Sequence, residues 1–297
     1  MSIHWNLPSG SVVNGGAGRW KESRHIQLRK MEIAGEDKKV IIRLVETGDK
    51  VQAACDLINE RYSWRGYGSD HRIPLDANHM TFTAEIGQDV VGTITLATDS
   101  KNGLATDRTF RQELDEYRAQ PGAKLCELTK FAFDATIQSK ELMAALFHIV
   151  FVYGYRTHGC TDLFIEVNPR HVRFYEAMLG FKRVGALKDN DSVAAPAQLM
   201  WLKVDAIRQN INQFASNSDR PNARSLYPFF FSPTEESAIY RRLARTENQV
   251  IDQVGEDNTS RGGDHGLFRD FPLPDPAAAL NGPAMRGHRA AHQVGPL

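Results

Sequence analysis

TDLFIEVNPRHVRFYEAMLGFKRVG, residues 161–185, changes its hydrophobic period part-way and so defines two elements and their junction. TDLFIEV is a continuous apolar run of strand length. Asn168 and Pro169 then make an N-cap and first-turn pair: the amide side chain can accept from an early helical N–H, and proline surrenders an N–H that has no partner there. Gly180 stands where a left-handed helix stop belongs. On these grounds alone Phe174, Tyr175, Met178 and Phe181 are simply candidates for a core.

Upstream, CELTKFAFD (126–134) reads as a strand and SKELMAALFHIVFVYGYRTHG (139–159) as a long helix. A crossover helix between two strands implies a parallel pair. Farther out, VIIRLVET (40–47) is a strand, and DKVQAACDLINERY (49–62) is a helix with Val51, Ala54, Leu57 and Ile58 on one face. MTFTAEIG and DVVGTITLAT form a hairpin about a Gly-Gln-Asp turn, 107–118 is a charged helix, and AQLMWLKVD (197–205) is the closing strand. The predicted order is βαββαβαβαβ. It describes one α/β (α+β) domain over 39–215, a mixed, twisted sheet with flanking helices.

The ends differ in character. Residues 1–38 mix Gly, Ser, Asn and charges and read as an irregular arm. The extension 216–250 contains SLYPFFFSPTEESAIYRRLA, whose Ser-Pro start, early acids and late arginines describe a short capped helix able to dock on the body. Residues 251–297 hold 12 Gly and Pro, about a quarter of the segment, and read as a disordered tail.

With 36 basic and 36 acidic side chains the formal charge is zero, so no global field draws nucleic acid or an anionic membrane. The most apolar stretch, AALFHIVFVYGY, is too short and interrupted to span a bilayer, and the first twenty residues lack the regions of a signal peptide; the expected location is cytoplasmic. Cys55, Cys126 and Cys160 are odd in number and widely spaced, which disfavours a disulfide framework or a zinc site; no metal is expected.

The element order, with NPRHVRFYEAMLGFKRVG, resembles the GNAT acyltransferase superfamily over roughly residues 40–207. Most GNAT proteins cradle the pyrophosphate of coenzyme A on a glycine-rich turn opening the long helix. The corresponding DATIQSKELMAAL has no glycine. The departure points to a donor with one phosphodiester, the acyl-phosphopantetheine of acyl carrier protein, while a different turn for coenzyme A stays open. ELTKFAFD resembles the acyl-homoserine-lactone synthases, whereas INERYSWRGY, VVGTITLATDS, GLATDRTF and FIEVNPRHVRFYEAMLGF resemble the related long-chain N-acyl amino acid synthases. The second resemblance implies transfer of a fatty acyl group from acyl carrier protein to the α-amino group of an amino acid. A lactone synthase and a non-catalytic acyl-carrier or lipid sensor are the alternatives.

The resemblance also implies roles. A free α-amino group titrates near 7.7–8.0, so a mild base suffices, and Glu127 is the candidate; pairing with Lys130 or Arg173 is its structural alternative. Backbone N–H groups along Phe131, Ala132 and Phe133 would stabilise the oxyanion, and Tyr175, with Phe174 as competitor for the position, would protonate the leaving thiol. Tyr62, Trp64 and Tyr67 are candidates for the acceptor pocket. Phe82, Ile94, Leu128 and Leu146, with Phe133, are candidates for an acyl tunnel. Lys140, Asn168, Arg170, His171, Arg173, Lys182 and Arg183 are candidates for docking the carrier and its phosphodiester. His148 lies off the Leu142, Leu146, Ile149, Tyr153 stripe and reads as a structural or surface residue.

Overall fold

The computed structural model describes residues 25–33, 35–46, 48–137, 139–215 and 224–248; the expected tail at 251–297 lies outside them. One eight-stranded sheet runs in the order β1-β2-β3-β4-β5-β6-β8-β7. Its strands are β1 (His25–Ile33), β2 (Glu36–Leu44), β3 (His79–Ile86), β4 (Asp89–Thr98), β5 (Leu125–Phe133), β6 (Asp162–Val167), β7 (Lys182–Asn190) and β8 (Ala195–Lys203). All neighbours are antiparallel except β5 and β6. The helices are α1 (Asp49–Ser63), α2 (Asp107–Arg118), α3 (Lys140–Arg156), α4 (Val172–Leu179), α5 (Val204–Phe214) and α6 (Pro233–Asn248), with 3-10 turns at Pro169–His171 and Tyr227–Phe229.

The helices divide between the two faces of the sheet. α1 and α2 cover one, closing small cores around Ile58 and Phe110; α3, α4, α5 and the C-terminal segment cover the other over the main core. β3 and β4 are buried on both faces, and their threonines satisfy one another: the Thr81 and Thr95 hydroxyls are 2.8 Å apart. α3 is buried nearly all round, which explains its uninterrupted apolar composition.

The β5–β6 pair positions everything that follows. α3 connects the two strands as a crossover, so they run parallel, yet only Leu125, Cys126 and Glu127 find partners, at Asp162, Leu163 and Phe164. Beyond Glu127 the strands part, and the edge of β5 opens onto a cleft. Within the same stretch β5 bulges against β4: Thr93 faces Ala132 and Thr95 faces Thr129, leaving one residue more on β5 than on β4. Lys130 takes the strain there, at φ 54°, and the Thr93 hydroxyl donates to its carbonyl at 2.7 Å.

The structure adds elements that the period analysis did not give. Residues 25–33 and 36–38, read as part of an irregular arm, form β1 and the start of β2. The register of β1 shifts between Gln27 and Lys30, so the inward alternation of Ile26 and Leu28 resumes out of phase at Met31 and Ile33. β7 was missed because it is an exposed edge whose register breaks between Val184 and Lys188, where Gly185 sits at φ 63°.

The C-terminal extension docks. Ser232 and Glu235 form a reciprocal capping box at the start of α6: the Ser232 N–H donates to the Glu235 carboxylate at 2.8 Å and the Glu235 N–H to the Ser232 hydroxyl at 3.3 Å. Upstream of it the segment carrying the Tyr227–Phe229 turn is sewn to α4, with the Leu226 N–H on the Met178 carbonyl at 2.9 Å.

Candidate active site

Glu127 is 2% exposed on β5, facing α2. It reaches neither Lys130 nor Arg173. Its carboxylate accepts from the Thr106 hydroxyl and, at 3.3 Å, from the Thr106 N–H just before α2. Burial pushes its pKa up to about 7, against the downward pull of those hydrogen bonds, and the Glu166 carboxylate adds to the rise. Glu166 lies two residues beyond Phe164, the partner of Glu127, on the same face of β6. It is hydrogen-bonded by Asn190 and raised by burial as well. Two carboxylates thus lie on one face of the sheet, close enough to influence each other, just where the strands part.

On the opposite face Leu128, the next residue, borders an apolar cavity that contains and opens onto about 470 Å³ of empty space. Leu96 and Leu163 of the sheet, Phe147 and Phe151 of α3 and Ile207 of α5 supply much of its wall. Of the side chains expected in a tunnel, Leu128 lines the cavity, whereas Phe82, Ile94 and Leu146 are sealed in the core. Phe133 packs on Phe131, and Phe131 on Phe147, at centroid distances of 5.5 and 4.9 Å.

A basic, aromatic rim lies beside the cleft. Tyr62, at the end of α1, sets its ring edge-on to Tyr67 and His71, and the Lys130 ammonium is 3.4 Å from the His71 ring nitrogen. Arg170 donates to the Tyr67 hydroxyl at 2.7 Å and to His171 at 3.2 Å. Burial, Arg61 and Arg170 hold the Arg65 guanidinium below its ordinary pKa, and burial, Arg170 and Arg65 do the same for His171. Among the described residues no ion pair neutralises Arg61, Arg65 or Arg170. Tyr175 packs its ring on Phe174 and Phe181, and burial followed by the nearby Tyr62 hydroxyl pushes its own pKa upward, so it keeps its proton. Trp64 is 78% exposed beneath Arg61 and Arg65 and stands outside this group.

The family model of FeeM, an N-acyl amino acid synthase, matches residues 53–203, half of the chain. The chain belongs to the FeeM family of N-acyl amino acid synthases. The solved structure of FeeM from uncultured soil microbes is 32% identical over 58% of this chain and 94% of its own, with a TM-score of 0.53. The acyl-homoserine-lactone synthase LasI is 14% identical over 56% of this chain and 91% of its own, with a TM-score of 0.43. RimJ from Mycobacterium smegmatis, solved with a coenzyme A disulfide, is 12% identical over 63% and 90%, with a TM-score of 0.41. No curated protein matches the chain. The synthase is thus a GNAT-type acyltransferase with the mixed sheet that its sequence describes.

In this FeeM-family synthase only the first residue of the stretch Phe131, Ala132 and Phe133 lies in the bulge of β5. Ala132 and Phe133 are back in register with Thr93 and Gly92, so the irregular backbone is that of Lys130 and Phe131. The expected docking residues are scattered. Asn168 caps the 3-10 turn, accepting from the Arg170 N–H at 3.2 Å; Arg173 is exposed; Lys182 lies over the Trp201 ring. Arg183 is tied to Glu176 through two hydrogen bonds of 2.8 and 3.3 Å, which spends its charge. Lys140 is buried under the Phe229 ring, and burial lowers its pKa.

The synthase carries further polar groups that the sequence reading passed over: Thr106, Glu166, Arg61, Arg65 and His71. Glu166 had a signal, since it alternates with Asp162 and Phe164 on one side of β6. Arg65 and His71 sit in an irregular loop and had none. Among the described residues no helix is long and apolar enough to cross a membrane, and no three His, Cys, Asp or Glu side chains are grouped to hold a metal. The three cysteines are free and buried.

Proposed function

We propose that the synthase moves a long-chain fatty acyl group from the phosphopantetheine thioester of acyl carrier protein to the α-amino group of an amino acid. The observation that carries this reading is the division at one point of β5: Leu128 faces an apolar cavity, while Glu127, on the other face, is a buried carboxyl under the influence of Glu166. The first suits an acyl tail and the second an ammonium.

Glu127 and Glu166 hold the amino group, and Glu127, with a pKa near the working pH, takes its proton. The nitrogen lone pair attacks the thioester carbon, forming the C–N bond, and the attacking nitrogen then sheds its second proton to solvent. Backbone N–H groups at the Lys130–Phe131 bulge meet the oxyanion, and its collapse breaks the C–S bond. The Tyr175 hydroxyl donates a hydrogen bond to the departing sulfur; its raised pKa makes it a holder of the proton, so the proton that neutralises the thiolate returns from Glu127 or solvent. Arg65 and Arg170, lacking carboxylate partners among the described residues, suit the α-carboxylate of the acceptor.

The start of α3 supports a carrier protein over coenzyme A. In place of an open set of N–H groups, the Ser139 hydroxyl accepts from the Leu142 N–H at 3.1 Å and donates to Glu141 at 3.2 Å. A carboxylate at this end repels a pyrophosphate that a helix N-terminus would otherwise attract. Arg173 and Lys182 remain on the surface to meet an acidic carrier. The test is a mixed-acceptor assay with palmitoyl-carrier and palmitoyl-coenzyme A, read by mass spectrometry. Amides formed at least tenfold faster from the carrier are expected; equal rates refute the donor assignment, and absence of amide from either donor refutes the reaction.

A further inference from the structure

The wall of the apolar cavity is incomplete without the C-terminal extension. Sheet and α3 supply two sides and α5 a third; the gap between α3, α4 and α5 is filled by Tyr227 and Phe230, each 3% exposed. Both residues follow the segment that the family model matches, which ends at 203. They are held by polar contacts as well as by packing. The Tyr227 hydroxyl donates to the Leu179 carbonyl at 2.9 Å.

His148 fastens the other end. It is fully buried on α3, stacked on Phe230 and Phe231 at centroid distances of 4.7 and 5.3 Å. Its Nδ1 accepts from the Phe231 N–H at 3.0 Å, so in the neutral ring Nε2 carries the proton and donates to Glu236 at 3.3 Å. Burial lowers the His148 pKa and favours that neutral form, and Arg156 completes the tie through an ion pair with Glu236. A histidine buried on α3 thereby becomes a fixed peg for an added strap.

We propose that this strap is part of the acyl site: Tyr227 and Phe230 form the outer wall of the cavity that takes the fatty acyl tail, and their bulk sets the chain length transferred. The inference rests on the acyl-transfer reading above. A wall made of side chains acts as a ruler because each buried methylene strengthens binding by about fourfold, so space for two more changes preference by more than about tenfold.

The test compares wild type with Phe230→Leu, Phe230→Trp and Tyr227→Phe, using saturated even-numbered acyl-carrier thioesters from octanoyl to stearoyl. Leucine and tryptophan keep the site apolar, so folding survives where alanine would leave a large cavity. Phe230→Leu is expected to raise kcat/KM for the chain two carbons above the wild-type optimum about tenfold relative to that optimum. Phe230→Trp is expected to move preference to shorter chains, and Tyr227→Phe, which retains the ring, to leave the order unchanged. Amide formation by every variant with one common order of chain lengths overturns the role of the strap and leaves the reaction standing. Absence of amide from every donor overturns the reaction; calorimetric titration with the free fatty acids of the same series then reads the wall directly. A shifted order of affinities among the variants supports the strap as ruler, and a common order or no binding refutes it.

Discussion

Replacing Glu127 by glutamine is expected to stabilise the protein in alkaline solution while stopping turnover. The folded carboxyl titrates at about 7 because it is buried, against 4.5 for an ordinary glutamate. The folded chain therefore holds a proton that the unfolded chain releases. The stability this lends is complete below about pH 4.5 and is lost as the pH climbs through about 7. At about pH 8 the loss amounts to ~3 kcal/mol, of which roughly 2 to 3 falls between about pH 5 and 8. Glutamine has no such titration, and its amide oxygen can still accept from the Thr106 hydroxyl. Whatever its NH₂ group costs in that pocket is independent of pH, so the pH-dependent difference isolates the carboxyl. Urea unfolding followed by tryptophan fluorescence, at steps from about pH 5 to 8, supplies the curves, and equal slopes against urea show that the unfolded states compare. The variant should gain on wild type by about 2 to 3 kcal/mol across that range. Parallel curves would refute the buried, proton-holding state of Glu127, and turnover at the wild-type rate would remove it from the mechanism.

Four further outcomes follow from contacts around the cleft. Thr106→Val removes the hydroxyl that holds the Glu127 pKa down, so the alkaline rise of kcat should move to higher pH while the plateau stays within a few-fold; an unmoved pH profile counts against Glu127 as the base. Tyr175→Phe should lower kcat about tenfold, with the KM for the amino acid little changed, in an assay that reports release of the carrier thiol; a pure rise in KM would place the hydroxyl on the acceptor instead. Arg170→Ala should raise the KM for an amino acid by tenfold or more and leave the KM for its amine analogue, which lacks the carboxylate, unchanged. Glu141→Gln at the start of α3 should narrow the preference for carrier over coenzyme A thioesters, since it removes the charge opposing the pyrophosphate; an unchanged ratio of rates would locate that preference elsewhere.

The sequence disclosed the central elements because their periods are undisturbed. The residue ranges of β4 and α2 could be read directly, and Asn168, Pro169 and Gly180 punctuate the chain as their chemistry requires. β1 and β7 escaped because a bulge resets alternation, and a reader of period two sees noise. In the site, Glu127 was legible through resemblance, but its partner was not: Thr106 lies 21 positions away and meets it only through the packing of α2 on the sheet. The exact position of the β5 bulge was not legible, because Lys130, an ordinary strand residue in composition, adopts a left-handed backbone. His148 was read from its helical face as a structural or surface residue; it is buried, because it fastens a segment more than 80 positions downstream.

The bulged, charged last strand also bears on how the enzyme behaves in a crowded solution. An open sheet edge offers unpaired backbone groups to any other extended chain, and β7 is such an edge. Lys182, Arg183, Lys188 and Asp189 alternate poorly there, Gly185 turns the backbone aside, and Lys188 is bent back onto Glu113 of α2 at 2.7 Å. A neighbouring molecule approaching edge to edge meets charge and a kink in place of a straight template. Protection against edge-to-edge pairing is thus written into the same strand that looked least like one.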